Sequence, residues 1–277
     1  MTRLPNFLYI GPDKAGSSWL HEVLLSHPQI FMTPAKDLYY FDRYYDKGTD
    51  WYAAHFARAT DEPVVGEVCQ DYLFHPAAAE RIDETLDRPR FMVTLRDPVD
   101  RAFSSYLYML KMGQQPGDFG QALTGRPELL DHGRYGQGLD RFADRFGNDS
   151  LHVSVFDDLQ ADPQGFVSEV LSFLEVQPMR LSDELLEARL PASKARSAGL
   201  ARLARSAADW VREHNGAAVV GRVKRAPLVQ RVLYQPLRER PEAGAAEVAR
   251  IREALDGDLH RVEERFGVDL RRRWGWA

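Results

Sequence analysis

The stretch FLYIGPDKAGSSWL, Phe7 to Leu20, places Lys14, Gly16, Ser17 and Ser18 directly after an apolar run. A glycine turn between a strand and a helix aims backbone N–H groups and the positive helix end at one point, which suits a phosphate or a sulfate. Ser17 and Ser18 add hydroxyl donors, and Lys14 adds a full positive charge. The loop pattern of ATPases, G-x-x-x-x-G-K-[ST], is not met, because Gly11 to Gly16 holds its lysine inside the loop and Ser17 follows the glycine. A Mg²⁺ site normally uses the hydroxyl after that lysine and an acidic partner, so this loop reads as an anion site with no metal expected. Alone, it reads equally well as an ordinary tight turn with a solvated lysine.

A second segment, VTLRDPVDRAFSSYLYML, sets Arg96 at the end of an apolar run and Ser104 seven residues beyond Asp97, close to two helical turns. Those two side chains can share one side of a helix start and grip a phosphate, the arginine through its planar fork and the serine through its hydroxyl, with Arg101 able to join them. The plainer alternative is an Arg96–Asp97 ion pair with Ser104 as a small packing residue. Together the two segments describe a ligand with two separated acidic groups.

The elements that must position these residues follow from periodicity. Apolar runs at Phe7, around Val64, at Phe91–Leu95 and at Leu151–Phe156 read as strands, and helical patterns lie between them. A helix is expected after Gly16, on the stripe Trp19, Leu20, Val23 and Leu24, ending by His27-Pro28. A second starts at Pro98 with Asp97 as its cap, and a third follows DDLQADP. Val248, Ile251, Leu255, Leu259, Val262 and Phe266 predict a long amphipathic helix near the end. Residues 113–138, rich in Gly, Gln and Pro, read as a loop, and 192–241, rich in Arg and Ala, as a helical or irregular cover. Alternating strands and helices predict an α/β fold, a central parallel sheet flanked by helices, with ligands in the crevice at the carboxyl ends of the strands.

The chain has 277 residues, 44% hydrophobic and 28% charged, with a formal charge of -5, which argues against a nucleic acid partner held by bulk charge and makes any anion site local. Cys69 is the only cysteine, so no intrachain disulfide forms. With no apolar segment long enough to span a bilayer, a cytoplasmic protein is expected.

KAGSSWL, Lys14 to Leu20, resembles the 5′-phosphosulfate loop of the sulfotransferases that use 3′-phosphoadenosine 5′-phosphosulfate (PAPS), and RDPVDRAFSSY, Arg96 to Tyr106, resembles their 3′-phosphate motif. TPAKDLYYFD (Thr33 to Asp42), GEVCQDYL (Gly66 to Leu73), FDDLQADPQGFVSEVLSFL (Phe156 to Leu174) and PASKARSAGL (Pro191 to Leu200) are similar to further segments of that family. The closing FGVDLRRRWGW is similar more weakly. The resemblance implies a P-loop-like sulfotransferase fold of carbohydrate or bacterial type, a single domain with its core over about residues 4–200 and a helical extension over about 201–277.

It further implies transfer of a sulfuryl group from PAPS, leaving adenosine 3′,5′-bisphosphate (PAP), to a hydroxyl or amine. Lys14 would neutralise the leaving phosphate oxygen, Ala15, Gly16, Ser17, Ser18 and Trp19 would form the 5′ loop, and Arg96 and Ser104 would hold the 3′-phosphate. Tyr135 would lie near the nucleotide, and Ser193, Lys194 and Arg196 in the closing loop. The acceptor must lose a proton, and Asp37 matches the family's acidic base, with His75 as the runner-up. Tyr39, Glu67 and Asp71 are candidate acceptor contacts. Where many members carry Lys-Ser/Thr-Pro after the glutamate, this chain has Val68, Cys69 and Gln70. The partner is expected to be a small-molecule, glycan or lipid acceptor. A P-loop-type kinase using ATP and a non-catalytic nucleotide-binding module of the same fold are the alternatives.

Overall fold

Phe7–Gly11 is buried at every position, as a strand covered on both faces requires, and it becomes the central strand β1. The computed structural model describes residues 3–112, 114, 117–187, 193–195, 234–236 and 242–276. Beside β1 lie β2 (Ile30–Met32), β3 (Val64–Val68), β4 (Arg90–Leu95) and β5 (Leu151–Val155), all parallel, in the order β2-β3-β1-β4-β5. β1 connects toward one edge and β3 crosses back to β4, so the order reverses beside β1. The carboxyl ends of β1 and β4 therefore open side by side at the switch point.

Both faces carry helices. Phe7 and Tyr9 point to α1 (Ser17–Leu25) and α9 (Pro163–Phe173), packing with Leu20, Val23, Phe166 and Val170. Leu8 and Ile10 point the other way, into a cluster with α3 (Ala78–Thr85), α7 (Tyr135–Phe146) and α11 (Ala245–Phe266). The remaining helices are α2 (Gly48–Ala54), α4 (Pro98–Lys111), α5 (Phe119–Gly125), α6 (Glu128–Asp131), α8 (Phe156–Ala161), α10 (Asp183–Glu187) and α12 (Leu270–Arg273). α4 starts where the sequence places it. Pro98 stands in the first turn, and the Asp97 carboxylate accepts from the Val99 and Asp100 amides.

One expectation is overturned. Residues 113–138, read as a loop, hold α5, α6 and the start of α7. Asp118 caps α5 in a capping box with Gln121. The glycines of α7 serve close packing rather than a turn: a Cβ on Gly138 would come within 2.6 Å of the Leu73 carbonyl oxygen, and one on Gly136 within 2.6 Å of that of Asp258. The expected cover over 192–241 lies outside the described residues, except for the backbones of β6 (Ser193–Ala195) and β7 (Tyr234–Pro236). These pair antiparallel, and β6 lies beside α4.

Candidate active site

The turn after β1 is shaped by its backbone. Gly16 has φ +84°, and a Cβ there would meet Leu159 at 2.5 Å, so glycine is required on both counts. Lys14 itself sits in the left-handed region at φ +64°, a strain of order 1–3 kcal/mol that surrounding contacts must hold. Arg96 supplies one of them, its Nη1 donating to the Lys14 carbonyl at 2.7 Å. The two cradles expected from the sequence are thus joined directly. α1 begins at Ser17 with no side-chain cap and no acidic residue in its first turn, leaving its positive end uncompensated.

The Lys14 ammonium stands 4.4 Å from the centre of the half-exposed Tyr108 ring. Burial pushes its pKa down to about 8; Asp13 works against this, while Arg96, Lys111 and Lys36 add to it. Several cations therefore converge on one place. On α4, Asp100, Ser104, Tyr108 and Lys111 follow at three- and four-residue steps and share a face. Arg96 Nη2 lies 3.7 Å from the Asp100 carboxylate at one end of this row, which places Ser104 between that pair and the ring beneath Lys14.

Arg101 does not join this surface. It is buried, donates to Asp13 Oδ1 at 2.9 Å and to the Leu129 carbonyl, and forms a support beneath the loop. Ser105 Oγ donates to the other Asp13 oxygen at 2.7 Å. Burial opposes ionisation of Asp13, yet Arg101, and then His132 and Ser105, hold its carboxyl well below the usual range. Tyr135 is likewise fully buried, its hydroxyl donating to the Arg96 carbonyl at 2.8 Å. It braces the arginine from behind. Trp19 points from α1 to α10, its indole N–H donating to the Leu185 carbonyl at 2.6 Å, and Ala15 is buried. Backbone alone is described for Ser193 and Lys194, and Arg196 lies outside the described residues.

On the other side of the loop the chain leaves β2 and turns sharply. Asp37 and Tyr39 both adopt left-handed backbone, at φ +61° and +56°. The Asp37 amide donates to the Val68 carbonyl at 2.7 Å, and its Oδ1 accepts from the Gln70 amide at 3.4 Å. Tyr39 packs under the Arg43 guanidinium at 3.9 Å, and Arg43 pairs with Asp71. Burial lifts the Asp71 pKa to about 6, with Asp37 and Asp42 adding to the rise and His132 and Arg43 countering it. Asp37, Tyr39 and Asp71 are therefore one group. His75 sits further round, where burial and then Arg81 lower its pKa, and its amide donates to the Asp71 carbonyl at 3.3 Å.

Glu67 is fully buried in β3, and neither carboxylate oxygen completes a hydrogen bond. Burial pushes its pKa up to about 8, with the adjacent Tyr72 and Tyr52 hydroxyls pulling the other way. Its position is inside the sheet, behind the Asp37 group. The sign for stability follows: between 4.5 and about 8 the folded state keeps a proton that the unfolded chain has released, so stability falls as pH rises. Glu67→Gln is expected to remove this slope. Thermal melts at about pH 5 and about pH 8 would show wild type losing on the order of a few kcal/mol and the variant much less; parallel slopes would refute the assignment.

Two residues of the site carried no sequence signal used above. His132, from the stretch read as a loop, stacks on Phe74 at 4.5 Å and approaches Asp13 at 3.9 Å. Lys36, next to Asp37, donates to Ser17 Oγ at 2.8 Å and Ser18 Oγ at 3.1 Å. A cavity of about 510 Å³ between the β5 edge and α12 lies away from all of these groups. Its Asp158 and Arg273 pair with each other at 2.8 Å.

A parallel α/β sheet has a cationic turn at its switch point, joined to a second arginine-bearing turn, an arrangement suited to a ligand with separated anionic groups. Residues 66–180 match the model of the sulfotransferase family. It is 38% identical over 111 residues to membrane-associated sulfotransferase kil1 of Dictyostelium discoideum, covering 39% of this chain and 24% of the relative. It is 30% identical over 181 residues to heparan sulfate glucosamine 3-O-sulfotransferase 6 of Mus musculus, covering 62% and 52%. The chain thus spans about a quarter to a half of the length of these curated relatives. The fold matches a sulfotransferase crystal structure from Alicyclobacillus acidocaldarius with a TM-score of 0.60 at 24% identity, over 79% of this chain and 96% of the other. The architecture is the P-loop-like α/β fold. No helix among the described residues is long and apolar enough to cross a membrane.

Proposed function

We propose that this chain is an enzyme that moves a sulfuryl group from PAPS to a hydroxyl or amine of an acceptor by in-line displacement. The observation that carries the reading is the 2.7 Å bond from Arg96 to the Lys14 carbonyl, which ties two anion cradles into one crevice at the ends of adjacent strands. The residues fit the donor: an uncapped helix start, a glycine whose left-handed backbone shapes the turn, and a cluster of cations. When bound, the donor supplies an activated sulfuryl group whose bond to the phosphate oxygen breaks as the acceptor's bond to sulfur forms.

The chain's own residues position and neutralise. The α1 amides with Gly16, Ser17 and Ser18 hold the 5′ end, and Lys14 offsets the charge that grows on the departing oxygen. Arg96 and Ser104 hold the 3′ end, with Tyr135 and Arg101 as supports beneath them, and Ser193, Lys194 and Arg196 belong to the proposed covering loop. Asp37 takes the acceptor's proton. It is preferred to His75 because it adjoins Lys36, which touches the donor loop, whereas burial and then Arg81 lower the pKa of His75 away from that loop. Tyr39 and Asp71 contact the acceptor, a glycan, small molecule or lipid, and Glu67 backs them from within β3. The mouse relative's name specifies heparan sulfate glucosamine, which favours a glycan. A cytoplasmic setting is part of the proposal, and the lone thiol of Cys69 fits it.

Incubation with ³⁵S-labelled PAPS and panels of glycans, lipids and metabolites is expected to give a labelled product and stoichiometric PAP. Magnesium-dependent ATP turnover in place of label transfer would establish the kinase alternative. Nucleotide binding with no transfer to any acceptor class would favour the binding module.

A further inference from the structure

Lys36 is half-buried, and its two hydrogen bonds among the described residues go to neutral hydroxyls, Ser17 Oγ and Ser18 Oγ, in the first turn of α1. No salt bridge from it to a carboxylate is seen among the described residues. An ammonium at the positive end of an uncapped nine-residue helix stands against the helix dipole, and Lys14 adds a like charge close enough for the two to repel. Such an arrangement is uphill until an anion enters. The resemblance offers no alternative cation from β3, since the family's lysine position is Val68, fully buried.

We propose that Lys36 is a second binding cation for the 5′ end of the donor, closing on it from the side opposite Arg96. Its neighbour Asp37 faces the acceptor group, so one short segment carries both the cation that meets the donor and the candidate base that meets the acceptor. Lys14 and Lys36 then flank the same anionic end, one from the loop after β1 and one from the turn after β2. The side-chain hydroxyls of Ser17 and Ser18 hold the ammonium in place between them.

This inference rests on the donor assignment proposed above, and calorimetry with two probes separates the two. PAP carries a 5′-phosphate, whereas adenosine 3′-monophosphate lacks one. Lys36→Met is expected to weaken PAP binding about tenfold, the size of one charge-assisted hydrogen bond, and to leave adenosine 3′-monophosphate unchanged. Lys36→Arg is expected to restore most of the loss. Unchanged PAP affinity, or equal weakening of both probes, would overturn the inference while leaving the donor assignment intact. Wild-type protein that binds neither probe would overturn the donor assignment and this inference with it. Circular dichroism melts of both variants identify any loss that comes from unfolding.

Discussion

Lys14→Ala is expected to lower sulfuryl transfer about 10²–10³-fold, the cost of removing one preorganised charged donor from a developing anion. The effect belongs mainly to turnover, because Arg96 and the α1 amides still hold the nucleotide. A pH profile separates this role from a structural one. The Lys14 ammonium titrates at about 8 in the free protein, and an anion binds better to its charged form. Affinity for PAP is therefore full below about pH 8 and declines above it, by no more than the modest share of binding that the Lys14 charge supplies. Arg96 stays charged throughout, so adenosine 3′-monophosphate is expected to bind with little pH dependence. The ligand-free fold has the opposite dependence: between about 8 and 10.5 the unfolded chain keeps the proton that folded Lys14 has lost, so this group makes stability rise with pH. Calorimetric titration across pH 7 to 10 on wild type and Lys14→Met reads both. A PAP profile that is flat in wild type, or identical in the variant, would remove Lys14 from the anion site.

Asp13→Ala is expected to destabilise the protein by about 3–5 kcal/mol, lowering the melting temperature by roughly 10 °C. Arg101 is 1% exposed and loses its carboxylate partner, leaving a charged guanidinium buried against the Leu129 carbonyl. Ser105 Oγ loses its acceptor at the same time, and His132 loses the carboxylate beside it. Breaking one partner of a buried pair costs more than the pair itself contributes, because the remaining charge stays desolvated. Pairing Asp13→Ala with Arg101→Met removes the stranded charge and is expected to recover part of the loss. Since Asp13 directly precedes Lys14, the single variant also loosens the turn and is expected to weaken PAP binding. A variant that melts within about 1 °C of wild type would show that the pair does not support the loop.

Much of the site was legible in the sequence because it rests on local backbone rules. Gly16 between an apolar run and an amphipathic stripe announces a strand-turn-helix cradle, and Asp97-Pro98 announces a helix start whatever surrounds it. The pairing of Arg96 with the Lys14 turn was legible too, since parallel strands joined by helices bring such turns to one end of a sheet. Arg101 was harder. On a helical wheel it stands near the active face, yet only packing shows that it points inward to Asp13, a residue far off in sequence.

The segment 113–138 shows the same limit from the other side. Gly136 and Gly138 count as loop formers by composition, but they are the points where α7 presses against Asp258 and Leu73. Trp276 shows it again: its indole donates to the Asp97 carboxylate at 3.0 Å, so the end of the chain braces the start of α4.

The sequence by itself determined four of the five parallel strands, their alternation with helices and the two strand-turn-helix junctions at Gly16 and Pro98, because dihedral preferences and hydrophobic period act over a few neighbouring residues. The tertiary structure alone decided which polar side chains face the crevice and which lie beneath it. That choice set Arg101 and Tyr135 under the loop and brought Lys36 and His132 to it, since burial, hydrogen-bond partners and charge proximity are properties of residues made neighbours only by folding.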